Sequence, residues 1–347
     1  MKQSGFFPIS VLILSVLLIC DARGWAVTVE QLVAGAKKEG KLDLYGPSVL
    51  GPAGTQALGD ALNKMYGLNI TANYHSAGNM AQDAGKIVGL AVAGVQPEWD
   101  VMIMTDAHHA TLGLRKLHEA TDYKKLGIDP RIIHYGNGSI SFANQFVLPA
   151  YNHKILPAKD VPKSWEDLLD PKWKGGKLGM STATHHLARL AAGPWGEEKT
   201  TRYVKALAQQ GLSLGRLGEL MSRLQLGEIL VAVTMTTDFL RSYRAKQAAA
   251  PIVQAEGIAP IIAPAMQAGV VKGARHPNTG HLFTVFLTTL RGQEVYEKYG
   301  GLSSSLIPGT TAYKYAQGKQ LLYMSDKDAD RVDGLARDYG RILGFGN

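Results

Sequence analysis

Short apolar runs alternate with amphipathic helical stretches along the whole chain, and no other feature of the sequence limits the fold as much. Thr28 opens a helix with a capping-box partner at Gln31, and Gly40 ends it. Residues 41–45 read as a short strand. Residues 52–66 then place Leu58, Ala61, Leu62, Met65 and Tyr66 on one helical face before Gly67 stops the helix. Ile70, Ala72 and Tyr74 alternate as a strand over 69–75, and a helix follows Ser76-Ala77-Gly78 to about Gly94. Residues 101–104 are apolar without a break, as in a strand buried on both faces. The second half repeats the order. Ser164 caps a short helix, 178–180 is a strand, helices fill 183–226, 229–233 is a strand and a helix follows Asp238. Ser325 and Asp328 make a capping box for a last helix with Val332, Leu335, Ala336, Tyr339, Ile342 and Leu343 in helical spacing. This alternation predicts an α/β architecture with mostly parallel sheets, and 347 residues suit two domains.

Residues 1–26 carry the pattern of an export signal. Lys2 supplies the positive start, residues 6–19 the apolar stretch, and Gly24-Trp25-Ala26 the small residues of a cleavage site after Ala26. The stretch is shorter than the roughly 20 apolar residues of a spanning helix. Cys20 is the chain's one cysteine. Ile19 stands before it, where a lipoprotein signal wants a small residue, so plain cleavage is the expected processing and lipidation the alternative. Lys2, Asp21 and Arg23 leave with the signal and lower the net charge of +8 by one. The remaining positive excess is spread thinly, with no dense basic block, which argues against a nucleic-acid partner and allows an anionic small ligand.

The run Ser164-Trp165-Glu166-Asp167-Leu168-Leu169-Asp170-Pro171-Lys172-Trp173-Lys174-Gly175-Gly176-Lys177-Leu178 resembles the signature of family 1 extracellular solute-binding proteins, in the branch that includes ferric-iron-binding receptors. Trp99-Asp100-Val101, Ala150-Tyr151-Asn152, Leu226-Gly227-Glu228 and Ala274-Arg275-His276-Pro277-Asn278 support it, in order, over about residues 41–306. The resemblance implies a type II periplasmic-binding fold, two α/β lobes joined by a two-strand hinge near 143–151 and 255–261. Lobe 1 is then expected to comprise 27–144 plus 259–300, and lobe 2 145–258 plus 301–347. It also implies a monomer that captures a small-molecule ligand between the lobes and hands it to an ABC transporter permease in the inner membrane, with no cofactor. Trp165, Leu168 and Trp173 are expected to pack lobe 2, leaving the lysines of that run to solvent.

In open α/β sheets a ligand lies beyond the carboxyl ends of the strands, where helix N-termini offer free N–H groups. Four loops fit: Tyr45 to Ser48, Ser76 to Asn79, Thr105-Asp106, and Ser181 with Thr182, Thr184 and His185. Each of these polar residues could instead cap a helix. Thr237 and Asp238 complete the candidate set. In iron-binding members, the resemblance implies, the corresponding loop carries adjacent tyrosines, whereas here Thr234-Met235-Thr236-Thr237-Asp238 has none before Tyr243. An organic or anionic solute is therefore the expected ligand, with ferric or another metal ion as the alternative. The pairs His108-His109 and His185-His186 can each aim only one ring at a cleft, because helical neighbours do not share a face, and no metal site is assigned to them. No nucleophile elbow, zinc-protease helix or phosphate-binding loop is present. Catalysis and ligand presentation to a sensor kinase remain the readings from other classes.

Overall fold

The computed structural model describes residues 27–247 and 249–345; the expected signal segment, Cys20 and the cleavage site after Ala26 lie outside them. In chain order the elements are α1 (Val29–Glu39), β1 (Lys41–Gly46), α2 (Gly51–Tyr66), β2 (Thr71–Ser76), α3 (Met80–Val92), β3 (Val101–Thr105), α4 (Asp106–Gly113), β4 (Ile133–His134), β5 (Ser139–Asn144) and β6 (Val147–Asn152). There follow β7 (Leu178–Ser181), α5 (His185–Ala192), α6 (Gly196–Ala208), β8 (Ser213–Gly215), α7 (Leu217–Leu226), β9 (Val231–Thr236), α8 (Thr237–Lys246), β10 (Ile252–Gln254), β11 (Ile261–Ile262) and β12 (Ala265–Val270). The chain ends through α9 (Pro277–Leu287), α10 (Leu290–Gly300), α11 (Thr311–Ala316), β13 (Leu321–Leu322) and α12 (Ala329–Leu343).

Local chemistry sets several boundaries. Thr28 and Gln31 cap α1 reciprocally, at 2.9 and 3.2 Å. Gly40 and Gly67 end α1 and α2 at φ of 66° and 62°, a left-handed backbone that favours glycine. The stretch 183–226 is not all helix as expected. Gly211, at φ 71°, ends the run after α6, and β8 pairs with β7 before α7 begins. Ser325 donates to Asp328 at 2.6 Å across a 3-10 turn rather than capping α12 directly.

Two sheets organise the lobes, ordered β2-β1-β3-β12-β5-β4 in lobe 1 and β13-β11-β6-β9-β7-β8 in lobe 2, with β10 beside β6. They are mixed, where mostly parallel sheets were expected. β1 runs parallel to β2 and β3, and β7 to β8 and β9. β12 is antiparallel to β3 and β5, and β6 to β9 and β11. The antiparallel strands are those that carry the chain between lobes. Gln145 and Phe146 link β5 to β6, within the expected 143–151. The other crossing, at Ala263 and Pro264, comes later than the expected 255–261, because Ile261 and Ile262 are still bonded to β13 and β6 in the second sheet.

Each lobe has its own core. Leu42, Leu44, Ile103, Phe142, Phe283 and Phe286 fill one, and Trp165, Trp173, Leu178, Leu187, Val231 and Tyr339 the other. Trp165 is fully buried and its indole donates to Pro260 O at 2.9 Å; Trp173 donates to Asp167 O at 2.8 Å, while Lys172, Lys174 and Lys177 are exposed. The solute-binder signature is thus a packing element.

Trp165→Phe keeps most of the apolar burial but leaves the Pro260 carbonyl unpaired. It should lower unfolding free energy by about 1–3 kcal/mol in urea titrations. A second expectation concerns acid. His109 lies between the carbonyls of Met102 and Gln267, both at 3.1 Å, and 3.0 Å from His118. Burial pushes His118 and His281 down to about 4 and His186 to about 3, and holds His109 well below 6.5. These rings are neutral when folded and take up protons when unfolded below pH 6.5. Stability is therefore fully present above that pH and falls toward pH 4, by up to about 1.4 kcal/mol per pH unit for each histidine. Urea midpoints measured from pH 8 to 4 check the slope.

Candidate functional site

The strand register aligns one edge of each sheet with the crossings. Ala265 pairs with Asn144 and Met266 with Thr105, so the carboxyl ends of β3 and β5 lie at the hinge, as do those of β1 and β2, which run parallel to β3. In lobe 2, Val147 pairs with both Thr236 and Ile262, which puts the carboxyl ends of β9 and its parallel neighbour β7 at the same boundary. α2, α3 and α4 from one lobe, and α5 and α8 from the other, thus begin at the interlobe boundary, where their N-terminal N–H groups favour anionic groups.

The expected site residues divide by what they touch. Ser48, Ser76 and Thr182 are exposed at this boundary. Tyr45 is a correction: it is 1% exposed, donates its hydroxyl to Asp83 at 2.6 Å and tilts against Trp99 with ring centres 4.6 Å apart, so it packs under α3 inside lobe 1. Asn79 caps α3, accepting from Ala81 and Gln82 N–H at 3.1 and 3.2 Å. Thr105 pairs with His108 Nδ1 at 2.8 Å. Ser181 is buried against the Thr234 hydroxyl at 3.3 Å and accepts from Ala183 N–H at 3.4 Å, which bends the loop that presents Thr182. Thr184 donates to Ala336 O at 2.7 Å, tying α5 to α12. Thr237 accepts from Phe146 N–H at 3.0 Å, and Asp238 Oδ2 accepts from Gln145 Nε2 at 2.9 Å, so α8 starts against the crossing strand itself. Asp238 Oδ1 is shielded from solvent with no partner among the described residues.

Asp106 and Arg189 form the contact that sequence reasoning missed. Their side chains are 3% and 1% exposed and form an ion pair from α4 of lobe 1 to α5 of lobe 2; Asp106 Oδ2 also accepts from Ala265 N–H at 3.2 Å. A lone arginine in the apolar run Leu187-Ala188-Arg189-Leu190-Ala191 was a signal, since a buried cation requires a partner. His108 and His185 flank the pair. Burial, opposed by Asp106 and reinforced by Arg189, holds His108 below the usual imidazole range. Burial first, then His186, Arg189 and His108, holds His185 well below it. His109 and His186 are buried within their own lobes, so one ring of each pair faces the boundary.

Three cavities lie along the boundary, and of the candidates Asp106, Thr237 and Asp238 line them. A cavity of about 620 Å³ has Val49 and Lys298 of lobe 1 facing Asp238 and Arg241 of lobe 2. One of about 430 Å³ is lined by Asp106, and one of about 300 Å³ by Thr237, Phe146 and Gln254. The largest combines carboxylates (Asp238, Glu294, Glu297) with cations (Arg241, Lys298), a lining suited to a small polar organic molecule.

Comparisons with known proteins agree with this architecture. The chain is similar in fold to iron-bound HitA from Pseudomonas aeruginosa (TM-score 0.67, 18% identity, 86% of this chain and 99% of that one). It is also similar to the Trichodesmium protein IdiA (FutA) in complex with iron and citrate (TM-score 0.71, 16% identity, 88% and 100%). A third likeness is to the substrate binding protein of the ABC transporter from Agrobacterium tumefaciens (TM-score 0.69, 13% identity, 89% and 96%). At these identities the likeness is one of fold. An uncharacterized protein of Haemophilus influenzae is 29% identical over 163 residues, 45% of this chain and 46% of that protein, so the chain spans about half the length of the curated relative it matches. The family model described as bacterial extracellular solute-binding protein matches residues 125–320. Over more than half its length, then, the chain belongs to the bacterial extracellular solute-binding protein family.

Proposed function

We propose that this chain is the periplasmic substrate-binding component of an ABC importer, a monomer that captures a small anionic or other organic solute between its lobes and delivers it to a membrane permease. The observation that carries the reading is the opposition of helix N-termini and exposed hydroxyl loops across the two crossings: Ser48 and Ser76 from lobe 1, Thr182 from lobe 2. Export follows from the signal pattern of residues 1–26, with cleavage after Ala26. Family and fold support binding and transport rather than catalysis. The lobes are joined by the short crossings Gln145-Phe146 and Ala263-Pro264 and by the segment between α10 and α11, so solute uptake acts through hinge closure.

A screen of small carboxylates, phosphates, phosphonates and amines by thermal shift should find a ligand that compacts the chain in small-angle scattering. With that ligand, Thr182→Ala and Ser76→Ala should weaken affinity by roughly 1.5–3 kcal/mol each where the loops hold a charged group. Stability should fall by no more than about 1 kcal/mol. Unchanged affinity in both variants would remove these loops from the site; turnover of the ligand without compaction would point to an enzyme.

Bare ferric ion is disfavoured as the solute. The start of α8 offers Thr236, Thr237 and Asp238 with no tyrosine before Tyr243, and three phenols have other partners. Tyr45 donates to Asp83, Tyr74 to Pro47 O at 3.0 Å and Tyr243 to Gln225 at 2.5 Å. Burial and the Asp83 carboxylate raise the Tyr45 phenol far above its usual range, so it offers no phenolate. Titrating the protein with chelated ferric iron should leave the visible spectrum flat, whereas a saturable coloured complex at one iron per chain would restore the iron reading.

A further inference from the structure

On the lobe 1 sheet three metal-ligating side chains, those of Asp43, Asp100 and His276, meet, and His75 lies beside Asp43. Asp43 is the third residue of β1 and shares a face with Tyr45; its Oδ1 is 3.2 Å from Nε2 of His75 on the neighbouring β2. Asp100 stands immediately before β3, and its Oδ2 is 2.8 Å from Nδ1 of His276, immediately before α9. One donor atom each from Asp43, Asp100 and His276 lies within 4.8 Å of the others. Among the described residues, the cationic partners of these two carboxylates within 4.0 Å are imidazoles alone. Two carboxylates drawn together, side chains 19% and 2% exposed, concentrate negative charge that a divalent cation would neutralise.

The surroundings hold these donors in place. Asp100 accepts from the backbone N–H groups of Asp43 and His276, at 2.8 and 2.9 Å, and Asp43 Oδ1 accepts from Asn73 Nδ2 at 3.1 Å. Outer contacts of this kind orient carboxylates toward a metal. The His75 side chain is 38% exposed and leaves a path for an ion to enter. Two carboxylates and one imidazole suit zinc, which takes such ligands at about 2.0–2.2 Å in a four-coordinate arrangement that three protein ligands and a water can complete.

We propose that Asp43, Asp100 and His276 bind one zinc ion. The ion replaces the Asp100–His276 hydrogen bond, the ring ligating through an unprotonated nitrogen. It ties the start of α9 to β1 and the approach to β3, and so clamps lobe 1 at a distance from the solute cleft. The proposal is independent of what the cleft binds.

Tag-free protein, stripped with chelator and dialysed against micromolar zinc chloride, provides the test, with metal content by elemental analysis and melting temperature read together. One zinc per chain and a raised melting temperature are expected. Asp43→Asn, at the more accessible carboxylate, should fold and weaken zinc affinity at least tenfold. His108→Ala combined with His185→Ala should still retain one zinc. The proposal is overturned if no zinc is retained, if the Asp43 variant binds it as the parent does, or if only the His108 and His185 substitutions abolish binding.

Discussion

Two short crossings, Gln145-Phe146 and Ala263-Pro264, constrain everything else in this molecule. A strand that leaves one sheet and enters another must pair there in the sense its direction dictates. β12 and β6 therefore run against their neighbours, while the βαβ units on the flanks stay parallel. The consequence is functional. Parallel strands β1, β2 and β3 end at the hinge edge of one sheet, β7 and β9 at that of the other, and the helices after them start there. Loops from distant parts of the chain are delivered to one boundary by strand direction alone.

Across that boundary the strongest contact is the buried pair of Asp106 and Arg189. Removing both charges from water costs about as much as their attraction returns, so the pair contributes orientation more than net stability. Arg189 also donates to His185 O at 3.1 Å, while its Nε is buried with no partner among the described residues. With His108 and His185 held neutral beside it, the guanidinium has Asp106 as its one anionic partner among the described residues and is positioned by it. Gln145 serves the same purpose on the other flank, joining the first crossing to Asp238 at the start of α8.

The candidate site departs from a single polar pocket. Exposed hydroxyls at Ser48, Ser76 and Thr182 lie along the boundary, and the largest cavity, between Val49 and Arg241, carries charges of both signs. An interlobe site is assembled by closure, so its polar groups need to converge only in the ligand-bound state. The start of α8 presents two threonines and an aspartate to this boundary.

The sequence by itself determined the order of strands and helices from α1 to β3, the caps of α1, the stops at Gly40 and Gly67, and the packing role of Trp165 and Trp173. All of these depend on neighbours within one element or on the apolar character of a segment. It could also tell that only one ring of each histidine pair faces the boundary, because helical geometry is local. Only the tertiary structure decided that Tyr45 points under α3 rather than into the cleft, that Arg189 meets Asp106, and that the second crossing falls after Ile262. Strand alternation says that Asp43 and Tyr45 share a face, but what covers that face is set by pairings between residues far apart in the chain. Such pairings follow from how whole elements pack, and no local pattern encodes them.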